Sequence, residues 1–231
     1  MGPQEQERIY FVGGTGGVGA KAIQDVLANN IPITIYTRRP EKSCFKDHPQ
    51  VTHVQGSYDD LTPFEQSIGG HTRMFLLVRS LGMMPRIKGA MAKAAYAAGV
   101  KQIVAVSSLT VSVHPFTFIG QAHARSEDAI RAIQSVDATY VILRPWRFMS
   151  NYAIFAKHVV QTKTLVSVAA PDTPQGWIST DDIGALAAII LRDPIEKHGD
   201  AIYPMVGELL TANQQTETLS KLLGFAVAFK R

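Results

Sequence analysis

A doubly wound α/β fold, with a parallel sheet covered by helices on both faces and a small, shortened C-terminal lobe, is predicted by three observations. Short apolar runs alternate with segments of helical period, the first run passes straight into a glycine-rich turn, and the alternation changes character after Pro145. Regular alternation is the mark of βαβ units, and runs that are apolar throughout suit strands buried on both faces.

In chain order, residues 9–12, 33–36, 51–54, 74–78, 103–106 and 140–143 are the predicted strands of the sheet. Between them, Val18, Ala22, Ile23, Val26 and Leu27 form one helical stripe. Ile87, Ala90, Met91, Ala94, Ala95 and Ala98 form a second, opened by Pro85 and stopped by Gly99. Ala122, Ala129, Ile130 and Ile133 mark a third. Residues 1–145 are thereby assigned to the main domain and 146–231 to a smaller lobe that is not independent. That lobe begins with Trp146, Phe148, Tyr152 and Phe155, continues through a short strand at 164–168, and loops past Gly176. Thr180 or Asp181 then caps a helix whose inner face is Ile183, Leu186, Ala187, Ile190 and Leu191 and which Asp193-Pro194 ends. A strand at 201–203 and a helix at 213–223, closed by Gly224, complete the reading.

Composition excludes several classes. With 231 residues, 46% hydrophobic and 18% charged, intrinsic disorder is not expected. The 23 Lys and Arg against 19 Asp and Glu leave +4, but without a run of five basic residues no direct nucleic-acid partner is expected. No apolar stretch approaches the roughly 18 residues of a membrane span, and no leader pattern opens the chain, so a cytoplasmic protein without a membrane partner is expected. Cys44 stands alone, which suits a reducing compartment and leaves it a bystander. The histidines lack metal-site spacing, and Met74, Met83, Met84 and Met91 read as core, so no metal is expected.

The turn is Gly13-Gly14-Thr15-Gly16-Gly17-Val18-Gly19. Strand, glycine turn and helix in that order form a dinucleotide fingerprint. Gly13 allows a sharp turn, Gly16 lets a pyrophosphate approach the backbone, and Gly19 lets the helix pack on the strand. Gly13, Thr15, Gly16, Gly17, Val18 and Gly19 are therefore candidate cofactor contacts at a positive helix end. Both GxGxxG, through Gly14, and GxxGxxG, through Gly13, fit the spacing.

Where an acidic residue would take the ribose hydroxyls of NAD, the second strand ends in Thr37-Arg38-Arg39-Pro40, with Lys42 behind. A guanidinium there favours a 2′-phosphate, and one good contact implies roughly ten- to a hundredfold preference. NADP is the expected cofactor, with NADPH preferred over NADH, Arg38 the first phosphate ligand and Arg39 the second. Beyond the ends of later strands, Ser57 and Tyr58 are placed near the adenine, Val78 and Arg79 near the central riboses, and Ser107 and Ser108 near the nicotinamide.

The series GGTGGVG, TRRPEK, GSYDD, FLLV, VSSL, LRPWRFMSN and ISTDDIGALAAIIL resembles the NmrA-like family of atypical short-chain dehydrogenase/reductases over nearly the whole chain. Its more specific elements are Leu143-Arg144-Pro145 followed by Phe148 and Asn151, and Asp181-Asp182-Ile183. The resemblance implies a Rossmann-like domain that binds NADP(H), with Pro145 among the cofactor contacts, and a small-molecule substrate held against the C-terminal lobe. Some members reduce quinones or other carbonyl acceptors; others act as redox sensors through partner proteins. This sequence departs from the pattern at Ser57, where an acidic or amide residue is common. The Tyr-xxx-Lys pair of ordinary members is also missing, since neither Tyr140 nor Tyr152 has a lysine four residues on.

A reduction needs a proton source, for which His114, His123 and Tyr152 are the candidates, with His123 and Tyr152 the catalytic residues expected. His123 precedes Glu127 by four residues, so the carboxylate is predicted to raise the imidazole pKa. Trp146, Phe148 and Tyr152 could stack a flat acceptor, with Arg147 offering it a charge. The expectation is an NADP(H)-dependent oxidoreductase of a small aromatic or quinone-like carbonyl. The alternative is a catalytically silent NADP(H)-sensing regulator, with a homodimer or a regulatory protein as its partner. Members of the family commonly continue past the position of Gly224, whereas this chain stops at Arg231. An open cleft, a covering second subunit, or a truncated relative would each follow.

Overall fold

The computed structural model describes residues 7–133 and 137–231. Its first elements are β1 (Ile9–Val12), α1 (Gly17–Leu27), β2 (Ile33–Thr37), β3 (Val51–Gln55), α2 (Thr62–Ser67), β4 (Arg73–Leu76), α3 (Met84–Ala97), β5 (Gln102–Val106), α4 (Thr110–Val113), α5 (Phe118–Arg131) and β6 (Thr139–Pro145). There follow β7 (Arg147–Phe148), α6 (Tyr152–Thr162), β8 (Thr164–Val166), β9 (Gln175–Ile178), α7 (Thr180–Ile190), α8 (Ile195–His198), β10 (Ala201–Met205), β11 (Glu208–Leu210), α9 (Ala212–Leu223) and β12 (Ala228–Lys230). Among the described residues no helix is long and apolar enough to cross a membrane.

Seven strands form one sheet in the order β10-β6-β5-β4-β1-β2-β3, with each pairing parallel. This is the expected doubly wound Rossmann-like fold. The order reverses between β1 and β4, and there the carboxyl ends of the strands open a crevice. The β-branched and aromatic residues of β1, β4 and β5 are fully buried, as a sheet covered on both faces requires. In β1, for example, the ring of Phe11 packs at 5.4 Å from that of Phe75 on β4.

The chain divides into two compact units, residues 1–145 with 181–205, and residues 146–180 with 206–231. One boundary falls after Pro145, and residues 146–231, expected as one lobe, are divided between the two units. Residues 181–205 return to the first unit because β10 adds to the sheet beside β6, in register from Ala201 opposite Val141 to Met205 opposite Pro145. Within that unit, α7 closes on α1 so tightly that a Cβ at Gly184 would lie 2.5 Å from the Val18 carbonyl oxygen. A segment that leaves a domain and comes back carries no local mark of it in the sequence. The second unit contains the three-stranded sheet β11-β9-β7 and the parallel pair β12-β8, of which the sequence predicts only the strand at 164–168. Strands of two to four residues are too short for a period to register.

Candidate functional site

The glycine turn is shaped by close approach. Gly13 has φ +87°, and a Cβ there would lie 2.3 Å from the Leu77 carbonyl oxygen. At Gly19 a Cβ would lie 2.2 Å from the Gly13 carbonyl oxygen, so only glycine lets α1 begin against the end of β1. Gly16 differs: it is the N-cap of α1 without a side-chain cap, and a Cβ on it would meet nothing within 4 Å. Open space therefore faces the first turn of α1, whose N–H groups on Gly17, Val18 and Gly19 have no acceptor within the helix. Val18 buries its side chain and offers only its backbone. A phosphate fits this cradle by charge and by room.

Beside the cradle, Thr15, Thr37, Arg38, Arg39 and Lys42 line a cavity of about 260 Å³. The 3-10 turn Pro40–Lys42 folds Lys42 back so that three cations from six residues share the pocket. At the end of β3, the Tyr36 hydroxyl donates to the Ser57 carbonyl at 2.7 Å, which fixes the loop carrying Tyr58. Ser57 Oγ accepts from the Asp59 N–H at 3.2 Å, a local turn bond. Burial raises the Tyr58 pKa, with Arg38 opposing. Val78 is buried just past the end of β4, whereas Arg79 is exposed.

The carboxyl end of β5 is built differently. Ser107, 5% exposed, donates through Oγ to Glu127 Oε1 at 2.5 Å. Glu127 is itself buried on α5 and is gripped by Arg144 of β6, Nε to Oε1 at 3.0 Å and Nη2 to Oε2 at 2.5 Å. A third Arg144 nitrogen, Nη1, donates to Ser112 Oγ at 3.0 Å. One residue earlier on β5, the Val106 carbonyl accepts at 2.6 Å from Lys88 Nζ, on a side chain that is 1% exposed. The two adjacent serines thus have opposite capacities. Ser107 has its proton committed to Glu127 and is left as an acceptor. Ser108 Oγ accepts from the Thr110 N–H at 3.2 Å and from Thr110 Oγ1 at 2.9 Å, which leaves its own proton free to donate.

Residues 13–194 match the model of the NAD(P)H-binding family. The chain belongs to that family. Its relatives include a (4-alkanoyl-5-oxo-2,5-dihydrofuran-3-yl)methyl phosphate reductase of Streptomyces griseus, 30% identical over 224 residues that span 96% of this chain and 76% of the relative. The fold is shared with an NADPH-dependent quinone oxidoreductase of Escherichia coli solved with NADPH, at a TM-score of 0.84, 24% identity, and coverage of 96% and 78%. It is also shared with a Citrobacter triphenylmethane reductase solved with NADP(H), at a TM-score of 0.80, 19% identity, and the same coverage of 96% and 78%.

For an NAD(P)H-binding chain, the residues read from sequence fall into three sets. The glycine turn with Arg38 and Arg39 comes together as one continuous surface. Ser107 and Ser108 follow the carboxyl end of β5, and Pro145 sits beside them through the bond from the Leu109 N–H to its carbonyl, 2.9 Å. His123 does not behave as expected: Glu127 is taken by Arg144 and Ser107. Burial and the nearby positive charge of Lys88 push the imidazole pKa down to about 4, so it is neutral near pH 7 rather than protonated. Its Nδ1 is buried without a hydrogen-bond partner.

The residues expected to face the substrate belong to the second unit and are engaged there. Tyr152 stacks on Trp177 at 4.6 Å and donates its hydroxyl to Gln215 Oε1 at 2.5 Å, with its pKa pushed up by burial to about 12. Arg147 donates to Gln175, Phe148 lies on β7 opposite Ile178, and the Trp146 ring covers Gly176 at 3.1 Å from where a Cβ would stand. Sequence reasoning missed Lys88, Glu127's true partners and the role of Arg144. The buried face of α3 is Met84, Ile87, Lys88, Met91, Ala92 and Ala95, turned from the stripe expected through Ala90, Ala94 and Ala98. A lone lysine four residues before Ala92 and three before Met91 on that face was the available signal.

Proposed function

We propose that the protein is an NADPH-dependent reductase of a small aromatic or quinone-like carbonyl acceptor, within the NmrA-like group of atypical short-chain dehydrogenase/reductases. The observation that carries this reading is the pocket of Arg38, Arg39 and Lys42 beside an open glycine cradle. Three cations without a carboxylate on the lining suit a ribose 2′-phosphate and oppose the acidic residue that NAD requires. Membership of the NAD(P)H-binding family and the reductase names of its relatives support the reaction class.

The coenzyme supplies the hydride. What the chain supplies is placement and hydrogen bonding. In this reading Ser107 accepts from the carboxamide of the nicotinamide, because its own proton is held by Glu127. Ser108, with its proton free, donates to the acceptor oxygen as that oxygen gains negative charge. A neutral His123 is a weak acid and is removed from the role of proton donor.

The test is NADPH oxidation followed at 340 nm over a panel of benzoquinones, naphthoquinones and aromatic aldehydes. Turnover of at least one class is expected, falling roughly tenfold or more in Ser108→Ala with cofactor affinity kept. Tight NADPH binding with no turnover of any acceptor would contradict the reductase reading.

A further inference from the structure

Lys88 is not used by the reading above, and its position is unusual. It is an ammonium group placed inside the first unit, 1% exposed, on the face of α3 that packs against α5. Among the described residues its one hydrogen bond goes to the Val106 carbonyl at 2.6 Å. A buried cation held by a single carbonyl is a poor device for stability, because an apolar side chain of similar size would fill the space without the desolvation penalty. Its location is specific: it meets β5 at the residue before Ser107, at the carboxyl end of the strand. In a doubly wound fold the first half, β1 to β3, takes the adenosine side and the second half, β4 to β6, takes the other nucleotide.

The charges around Lys88 leave it unbalanced. From α5, Glu127 faces it, but that carboxylate is already matched by Arg144 of β6. His123, also from α5, is neutral near pH 7. β5 has no titratable residue. Arg73 of β4 pairs with Glu7 at 2.5 Å, at the opposite end of the sheet. Glu65 of α2, Arg79 beyond β4, and Arg86 and Lys93 on α3 itself are exposed to solvent. The Lys88, Glu127 and Arg144 group thus has one net positive charge in the interior.

We propose that Lys88 sets the preference of this protein for the oxidation state of its coenzyme: the buried ammonium at Val106 disfavours the positively charged nicotinamide ring of NADP⁺ and leaves the neutral ring of NADPH unopposed. The proposal rests on the NADP(H) reading of the cradle and adds a residue that no motif marks. A tenfold preference corresponds to about 1.4 kcal/mol, the scale on which two unit charges act on one another across a partly buried site. Burial pulls the Lys88 pKa down to about 8, with Glu127 holding it up, so the preference weakens as pH rises through that value. Linkage requires the converse: NADP⁺ binding drives Lys88 toward its neutral form and releases a proton, and NADPH binding does not.

Isothermal titration of the full chain with NADPH, NADP⁺ and 2′,5′-ADP, at pH 6.5 and pH 9.5 and in two buffers of different ionisation enthalpy, tests this. The wild-type protein is expected to bind NADPH about tenfold tighter than NADP⁺ at pH 6.5 and within about threefold at pH 9.5. Near pH 7.5 it is expected to release more protons with NADP⁺ than with NADPH, a difference in which the shared 2′-phosphate cancels. Lys88→Met is expected to show near-equal affinities at both pH values, with 2′,5′-ADP binding unchanged. A wild-type ratio that is flat with pH, or one that Lys88→Met or Lys88→Gln preserves, would overturn the proposal and leave Lys88 a tether between α3 and β5. The wild-type pH comparison decides even where neither variant folds. Failure of 2′,5′-ADP to bind wild-type protein would instead fault the phosphate pocket, which separates the two readings.

Discussion

The two halves of the parallel sheet handle positive charge in opposite ways. At the end of β2, Arg38 and Arg39 are exposed, keep their hydration, and share a pocket with Lys42. At the end of β5, Lys88 and the Glu127 to Arg144 pair are drawn into the interior, where each polar atom must find a protein partner. Charges of the first kind act on a ligand directly, are screened by salt, and contribute little to stability. Charges of the second kind are woven into the fold, act through the backbone of a strand end, and change stability as soon as one member is lost.

Glu127→Ala is the severest challenge to that contrast. It leaves Arg144 and Lys88 without their carboxylate and Ser107 without its acceptor, and should lower the free energy of unfolding by about 3 kcal/mol or more in urea denaturation. Arg38→Ala should do the reverse: about ten- to a hundredfold weaker NADPH binding by fluorescence titration, with an unfolding midpoint that does not move. Raising the salt concentration should weaken NADPH binding to the wild-type protein more than it weakens NADH binding.

A smaller effect distinguishes His123. Its pKa is about 4 in the folded protein against an ordinary value of 6.5, so between these values the unfolded chain binds the extra proton. Stability from this group is therefore present above about pH 6.5 and is lost as pH falls toward 4. His123→Gln should recover about 1–2 kcal/mol at pH 4.5 relative to the wild-type loss, read from urea midpoints at pH 7 and 4.5. An unchanged slope would mean that the imidazole is open to water.

What was legible in the sequence follows the same division. Strand, glycine turn and helix follow one another directly, and the Arg38-Arg39 pair stands at the end of the next strand, so the motif fixes the backbone and brings these residues to one pocket. The central strands β1, β4 and β5 were legible because burial on both faces makes them apolar along nearly their whole length. Lys88, Glu127 and Arg144 come from α3, α5 and β6, and no local pattern says that they meet. The i,i+4 spacing of His123 and Glu127 suggested a pair, but a bidentate guanidinium from β6 competed for the carboxylate and won. The same limit hid the return of β10 to the sheet, where long-range pairing with β6 overrides the order of the chain.

The central claim is that the end of β2 is a 2′-phosphate site, and paired titrations of NADPH and NADH at fixed ionic strength test it most directly. NADPH should bind the wild-type protein at least tenfold tighter than NADH, and Arg38→Ala should bring the two affinities together by weakening NADPH alone. Equal affinities in the wild-type protein, or a preference that survives Arg38→Ala and Arg39→Ala together, would contradict the account.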